Sequence, residues 1–93
     1  MQVKSTFFNL TKTYKKAINR LENLFGKDFE KAVDIIKNSK GHIVICGMGK
    51  SGLVGRKISA TLASTGTPSY FLHPGEAIHG DFGIVQPQSI VLL

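Results

Sequence analysis

Six residues, Gly47-Met48-Gly49-Lys50-Ser51-Gly52, limit the fold of this chain more than any others. They lie between a short apolar run, His42 to Cys46, and a helix-like stretch from Leu53 to Ser64. A nearly continuous, β-branched apolar run of that length is the pattern of a parallel strand covered on both faces. A glycine-rich turn leading from such a strand into a helix aims backbone N–H groups and the positive end of the helix dipole at one point. The turn therefore calls for an anion, and a phosphorylated small molecule is the ligand class to expect.

The remaining elements follow from periodicity. Phe7, Leu10, Tyr14, Ala17, Leu21 and Leu24 recur at steps of three and four, with Ile18 and Phe25 widening the stripe, which predicts a long amphipathic helix. Gly26 breaks it, Asp28 is placed to cap a second helix, and Phe29, Ala32, Val33 and Ile36 carry that helix to Asn38-Ser39-Lys40-Gly41. After the glycine turn and its helix, Gly66-Thr67-Pro68 introduces a second strand, Ser69 to Leu72. A short helix or loop follows, and Gln86-Pro87-Gln88 introduces a third strand, Ser89 to Leu93. Strands alternating with helices after residue 41 predict an α/β fold, a three-layer α/β/α sandwich with a parallel sheet whose ligand site lies beyond the carboxyl ends of the strands. Residues 1–40 supply the helices and 41–93 the first half of the α/β core. With 93 residues the chain is one small domain at most, and its core is small. The apolar strand at its end, with no crossover helix after it, reads as the front part of a larger domain, incomplete at its C-terminus.

Composition removes several classes of function. No apolar stretch approaches the roughly 20 residues that span a bilayer, and Gln2, Lys4, Ser5, Thr6 and Asn9 interrupt any secretory core at the N-terminus. No membrane partner and a cytoplasmic location are expected. A single cysteine, Cys46, fits a reducing compartment and is read as a core residue. The net charge of +6 sits mostly in the first 40 residues, where Lys4, Lys12, Lys15, Lys16 and Arg20 fall on the polar side of the long helix. Without interleaved exposed aromatics this is a solvated helix face, so no nucleic acid is expected.

Two familiar phosphate-binding motifs fail on spacing. A Walker P-loop requires glycine where this chain has Val44, so that Gly49-Lys50-Ser51 matches only its tail. Gly47, Gly49 and Gly52 satisfy the dinucleotide pattern, but the second strand ends in His73 rather than in the acidic residue that would hold a ribose.

A third pattern uses several blocks together. The glycine turn, Ser64-Thr65-Gly66-Thr67-Pro68, and His73-Pro74-Gly75-Glu76-Ala77-Ile78-His79-Gly80-Asp81 together resemble the sugar isomerase (SIS) domain of arabinose-5-phosphate isomerases. The resemblance covers residues 42–88, with residues 1–41 matching its N-terminal helices in pattern. It implies a flavodoxin-like topology and a reversible conversion of D-ribulose 5-phosphate to D-arabinose 5-phosphate, in lipopolysaccharide (Kdo) or capsule sugar synthesis. Such an aldose–ketose isomerisation moves a proton between C1 and C2 through an enediol, so a site must hold the phosphate, polarise the carbonyl and supply a base. No cofactor is required. The resemblance assigns Lys50 to the catalytic site, where it stabilises negative charge; a lysine at a helix N-terminus is locally unfavourable, a placement that makes sense if an anion arrives, the alternative being a solvated surface lysine.

It further implies substrate contacts at Gly49, Ser51, Gly66, Thr67, His73 and His79, and a zinc ion at His73. Ser51 has a plainer role open to it, that of helix cap. Glu76 is expected to start a short helix rather than to act as base, and His42 to be structural, on the wrong edge for the site. The resemblance places a phosphate-gripping Ser-rich loop, two glutamates, a histidine and a pair of CBS domains beyond residue 93, and a homo-oligomer, a tetramer in the complete protein. The chain alone is accordingly expected to be inactive. The alternative is a non-catalytic SIS domain that senses sugar phosphates, as in transcription regulators, although residues 1–40 lack a convincing helix-turn-helix. A related isomerase acting on heptose phosphate is disfavoured by the His73 to Asp81 block.

Overall fold

The computed structural model describes residues 2–93, so that Met1 of the expected N-terminal helical segment lies outside it. The chain divides into two compact units, one running to Asp34 and the other Ile35–Leu93.

The first unit is helical. Helix α1, Val3–Leu24, ends where Phe25 turns extended, and Gly26 offers its carbonyl to the Glu30 N–H at 3.1 Å to begin the next turn. Helix α2, Lys27–Lys37, carries Asp28 and Glu30 in its first turn and Lys37 in its last, each sign matching the local end of the dipole. Asp28 thus lies inside the helix rather than capping it, because the helix starts one residue earlier than the apolar period shows. The α1 stripe is regular, yet neither helix buries a residue. Phe7, Leu10, Tyr14, Ile18, Leu21 and Leu24 are all more than half exposed.

The second unit holds the sheet. Strands β1 (Ile43–Cys46), β2 (Ser69–Leu72) and β3 (Ile90–Leu92) are parallel and ordered β2-β1-β3. The β-branched run expected to be buried is the central strand: Ile43 and Val44 are fully buried and Ile45 nearly so. Residues alternate between the two faces, as strand geometry demands.

On one face Ile45 and Phe71 meet helix α3 (Gly49–Ser64), which approaches closely because Gly55 has no side chain. A Cβ there would stand 3.0 Å from Ile45 Cγ2 and 3.3 Å from the Phe71 ring. Further along the same contact, the Ser69 hydroxyl bonds that of Ser59 at 3.0 Å, both residues being buried. On the other face Val44 and Leu72 pack with Ala77, bordered by Ile84 and Val85. These come from helix α4 (Pro74–Ile78) and the 3-10 turn Asp81–Ile84 that follows it, so the segment between β2 and β3 contains both a short helix and a turn. Helix on one face and helix on the other make the expected three-layer parallel α/β arrangement. Strand β3 is shorter than the apolar run at both ends, and α3 starts four residues before Leu53.

Candidate functional site

The parallel register decides which residues share an edge. Cys46 pairs with Leu72 as the last step of the β1–β2 ladder, so Gly47 and His73 leave the sheet side by side at its carboxyl edge. The glycine turn begins there. Met48 is extended and supplies no side-chain cap, and Gly49 takes φ +60°, a left-handed conformation that costs other residues about 1–2 kcal/mol. Gly52 closes the turn by donating its N–H to the Met48 carbonyl at 3.1 Å. It must be glycine for a second reason: a Cβ would lie 2.7 Å from the Gly47 carbonyl oxygen.

The electrostatics follow from this geometry. The first N–H groups of an α-helix have no helical acceptor, and here the cap residue provides none from its side chain. The first turn of α3 holds no carboxylate and does hold Lys50, so dipole, N–H donors and ammonium all carry the same sign. Lys50 and Ser51 are exposed. With Gly47 they line a cavity of about 490 Å³ whose other walls include Val54, Ile58 and Leu92. Ser51 is not the helix cap, since the helix begins two residues before it.

His73 is half-buried and caps α4: its Nδ1 accepts the Gly75 N–H at 3.0 Å. Pro74 opens the helix, where a missing N–H costs nothing. His79 ends α4 and is exposed, one helix length of about 7 Å from its start. Glu76 lies in the first turn of α4, as expected of a helix-starting acid. His42 precedes β1 at the amino edge, its ring 5.0 Å from Tyr70 and its carbonyl accepting the Ile90 N–H, a structural placement.

The topology sets two further candidates apart. Gly66 and Thr67 stand before β2 and hence at the amino edge of the sheet, one four-residue strand, about 13 Å, from the glycine turn. Within one chain they lie at the opposite edge of the sheet from Lys50, Ser51 and His73. Cys46, read as a core residue, is only half-buried and lines the cavity, because the strand ends there and its cover ends with it. The zinc expected at His73 does not fit the residues present. Among the described residues no three His, Cys, Asp or Glu side chains gather, and the Nδ1 lone pair is already engaged by Gly75.

Periodicity overlooked the residues that hold α3 to the sheet. Gly52, Gly55 and Ser59 are its buried positions, spaced three and four apart on one face. Small residues at that spacing were the available signal. The apolar residues Leu53 and Val54 are exposed instead, Val54 beside the cavity it helps to line.

The family model of the SIS domain matches residues 35–93, the extent of the second compact unit. Over 75 residues, 81% of this chain and 23% of the relative, the sequence is 53% identical to the arabinose 5-phosphate isomerase KpsF of Escherichia coli O6:H1 strain CFT073. Among solved structures, a candidate sugar-phosphate isomerase from Listeria monocytogenes superposes with a TM-score of 0.81 at 29% identity, over 98% of this chain and 50% of that one. An Escherichia coli CFT073 protein solved in complex with arabinose 5-phosphate superposes with a TM-score of 0.77 at 33% identity, again over 98% of this chain and 50% of that one. The chain thus spans about a quarter of the length of the curated relatives it matches.

Proposed function

This chain belongs to the SIS domain family, and from that premise we propose that it forms one wall of the active site of an aldose–ketose isomerase that interconverts D-ribulose 5-phosphate and D-arabinose 5-phosphate. The observation that carries the reading is the carboxyl edge itself. There an uncapped helix N-terminus bearing Lys50 follows β1 at the same edge of the sheet at which His73 follows β2, in a chain 53% identical to an arabinose 5-phosphate isomerase over 81% of its own length.

In this reading Lys50 stabilises the negative charge that develops on the carbonyl oxygen as the enediolate forms, Gly49 and Ser51 donate to the substrate from the helix start, and His73 and His79 contact the sugar. Charge stabilisation of this kind lowers the barrier when the donors are fixed before the reaction begins. The reaction is redox-neutral, so it requires no electron-carrying cofactor. No helix among the described residues is long and apolar enough to cross a membrane, and the phosphorylated substrate supports a cytoplasmic place of action.

The test separates binding from turnover. The purified 93-residue chain is expected to show saturable binding of arabinose 5-phosphate by NMR shifts at Gly47 to Ser51, with no conversion of ribulose 5-phosphate. Lys50→Ala should weaken binding about tenfold, the cost of about 1.4 kcal/mol. The same substitution removes a cation from the positive end of α3, so its stability should hold or rise by roughly a few tenths of a kcal/mol. Turnover by the isolated chain, abolished by Lys50→Ala, would overturn the half-site reading. Binding that ignores Lys50→Ala would remove Lys50 from the site.

A further inference from the structure

We propose that His73 is locked as a hydrogen-bond donor through Nε2, with Nδ1 committed to the protein, and that it is not a zinc ligand. The argument rests on which atoms hold protons. A backbone N–H can only donate, so the 3.0 Å contact from the Gly75 N–H requires an unprotonated lone pair on Nδ1. In the neutral ring the proton then sits on Nε2, the nitrogen left free of the cap.

Three features hold the ring in this state. His73 has the extended backbone of a helix cap (φ −74°, ψ 130°), and Pro74 fixes the next residue. Gly75 lets the imidazole lie against the chain: a Cβ there would stand 3.1 Å from Nδ1 and 3.3 Å from Cε1. The ring is half-buried, which limits competition from water for the Gly75 donor.

The consequence for metal is direct. Zinc takes an imidazole lone pair. At Nδ1 it would displace the Gly75 N–H and leave that donor without its partner, and at Nε2 it would require either an imidazolate or a proton moved to Nδ1, which breaks the same Gly75 contact. No further group of metal-ligating side chains is gathered among the described residues to compensate. A ligand on the carboxyl edge meets instead an N–H, which suits a hydroxyl or carbonyl oxygen of a bound sugar. That last step rests on the isomerase reading of the site, whereas the tautomer does not.

Long-range ¹H–¹⁵N correlation of the histidine rings in the 93-residue chain, at a pH where His73 is neutral, tests the assignment. The expected result is a protonated Nε2 and an unprotonated Nδ1 for His73, unchanged by one equivalent of zinc chloride. A protonated Nδ1, or a His73 ring shift that saturates at one zinc per chain, would overturn it. Unfolding curves provide the second measurement: His73→Asn, whose side chain can also cap, should match the unsubstituted chain, while His73→Phe should lower the midpoint. Equal loss in both variants would overturn the capping role. Added arabinose 5-phosphate should then shift Nε2 alone. If it shifts neither nitrogen, the isomerase reading of this edge fails while the tautomer assignment stands.

Discussion

At the residue scale the glycine turn shows two different reasons for the same amino acid. Gly49 is glycine for its backbone: φ is +60° and nothing lies within 4 Å of where a Cβ would be. Gly52 is glycine for space, since its Cβ would meet the Gly47 carbonyl oxygen at 2.7 Å and the carbonyl carbon at 3.1 Å. These are backbone atoms of the turn and cannot step aside as a flexible side chain would. Gly52→Ala is therefore expected to destabilise the chain by about 1–3 kcal/mol, the usual cost of overpacking, and to displace the N–H groups of the turn. Gly49→Ala is expected to cost about 1 kcal/mol through conformation alone, with Gly49→Asn costing less because asparagine enters the left-handed region readily. Urea unfolding of the three variants checks the order. If Gly49→Asn falls as far as Gly52→Ala, the distinction between strain and space is wrong.

At the element scale α3 attaches to the sheet through small residues and one buried hydroxyl pair. Ser59 and Ser69 satisfy each other at 3.0 Å, and no buried side-chain polar atom among the described residues lacks a partner. Ser59→Ala should leave the Ser69 hydroxyl buried and unpaired, at a cost of about 1–3 kcal/mol. Replacing both serines by alanine should recover part of that loss, because an apolar pair of similar shape leaves nothing unsatisfied. A double-mutant cycle in urea measures the coupling, and strict additivity would show that the bond contributes nothing.

The same contact explains what the sequence could and could not disclose. The strands were legible because β-branched runs such as Ile43 to Cys46 have few other fates, and strand–helix alternation then dictated a parallel sheet. The face that α3 presents was not legible from hydrophobic periodicity, since close packing selected Gly52, Gly55 and Ser59 for the interior and left Leu53 and Val54 outside. The helix start was misplaced for a related reason: Gly49, Lys50 and Ser51 carry no apolar signal, although they form its first turn. Of the site, Lys50, Ser51 and His73 were legible together because all follow the carboxyl ends of strands. Gly66 and Thr67 were grouped with them by motif alone, and chain direction separates them.

At the scale of the whole molecule the unexplained feature is α1. Helices in proteins owe most of their stability to the packing of an apolar face rather than to intrinsic propensity, yet this helix of 22 residues buries none of its own. Its stripe from Phe7 to Leu24 stays exposed, and Phe7, Tyr14, Ile18 and Leu24 are each above 60% accessible. A row of apolar side chains of that length is larger than the patches that isolated chains ordinarily leave in water. The homo-oligomer that the family resemblance implies would cover it if α1 of one copy packed against α1 of a second, an arrangement that closes on itself about a two-fold axis. The charges permit this arrangement: Lys4, Lys12, Lys15, Lys16 and Arg20 lie on the polar side of the helix, so that neither copy must bury its cations. Sedimentation equilibrium at micromolar concentrations should show a dimer or a higher multiple, and the double substitution Ile18→Glu with Leu21→Glu should reduce it to monomer while lowering the helical circular dichroism signal. A monomer with full helicity before any substitution would show that α1 is stable uncovered, and the proposal of a homo-oligomer would fall.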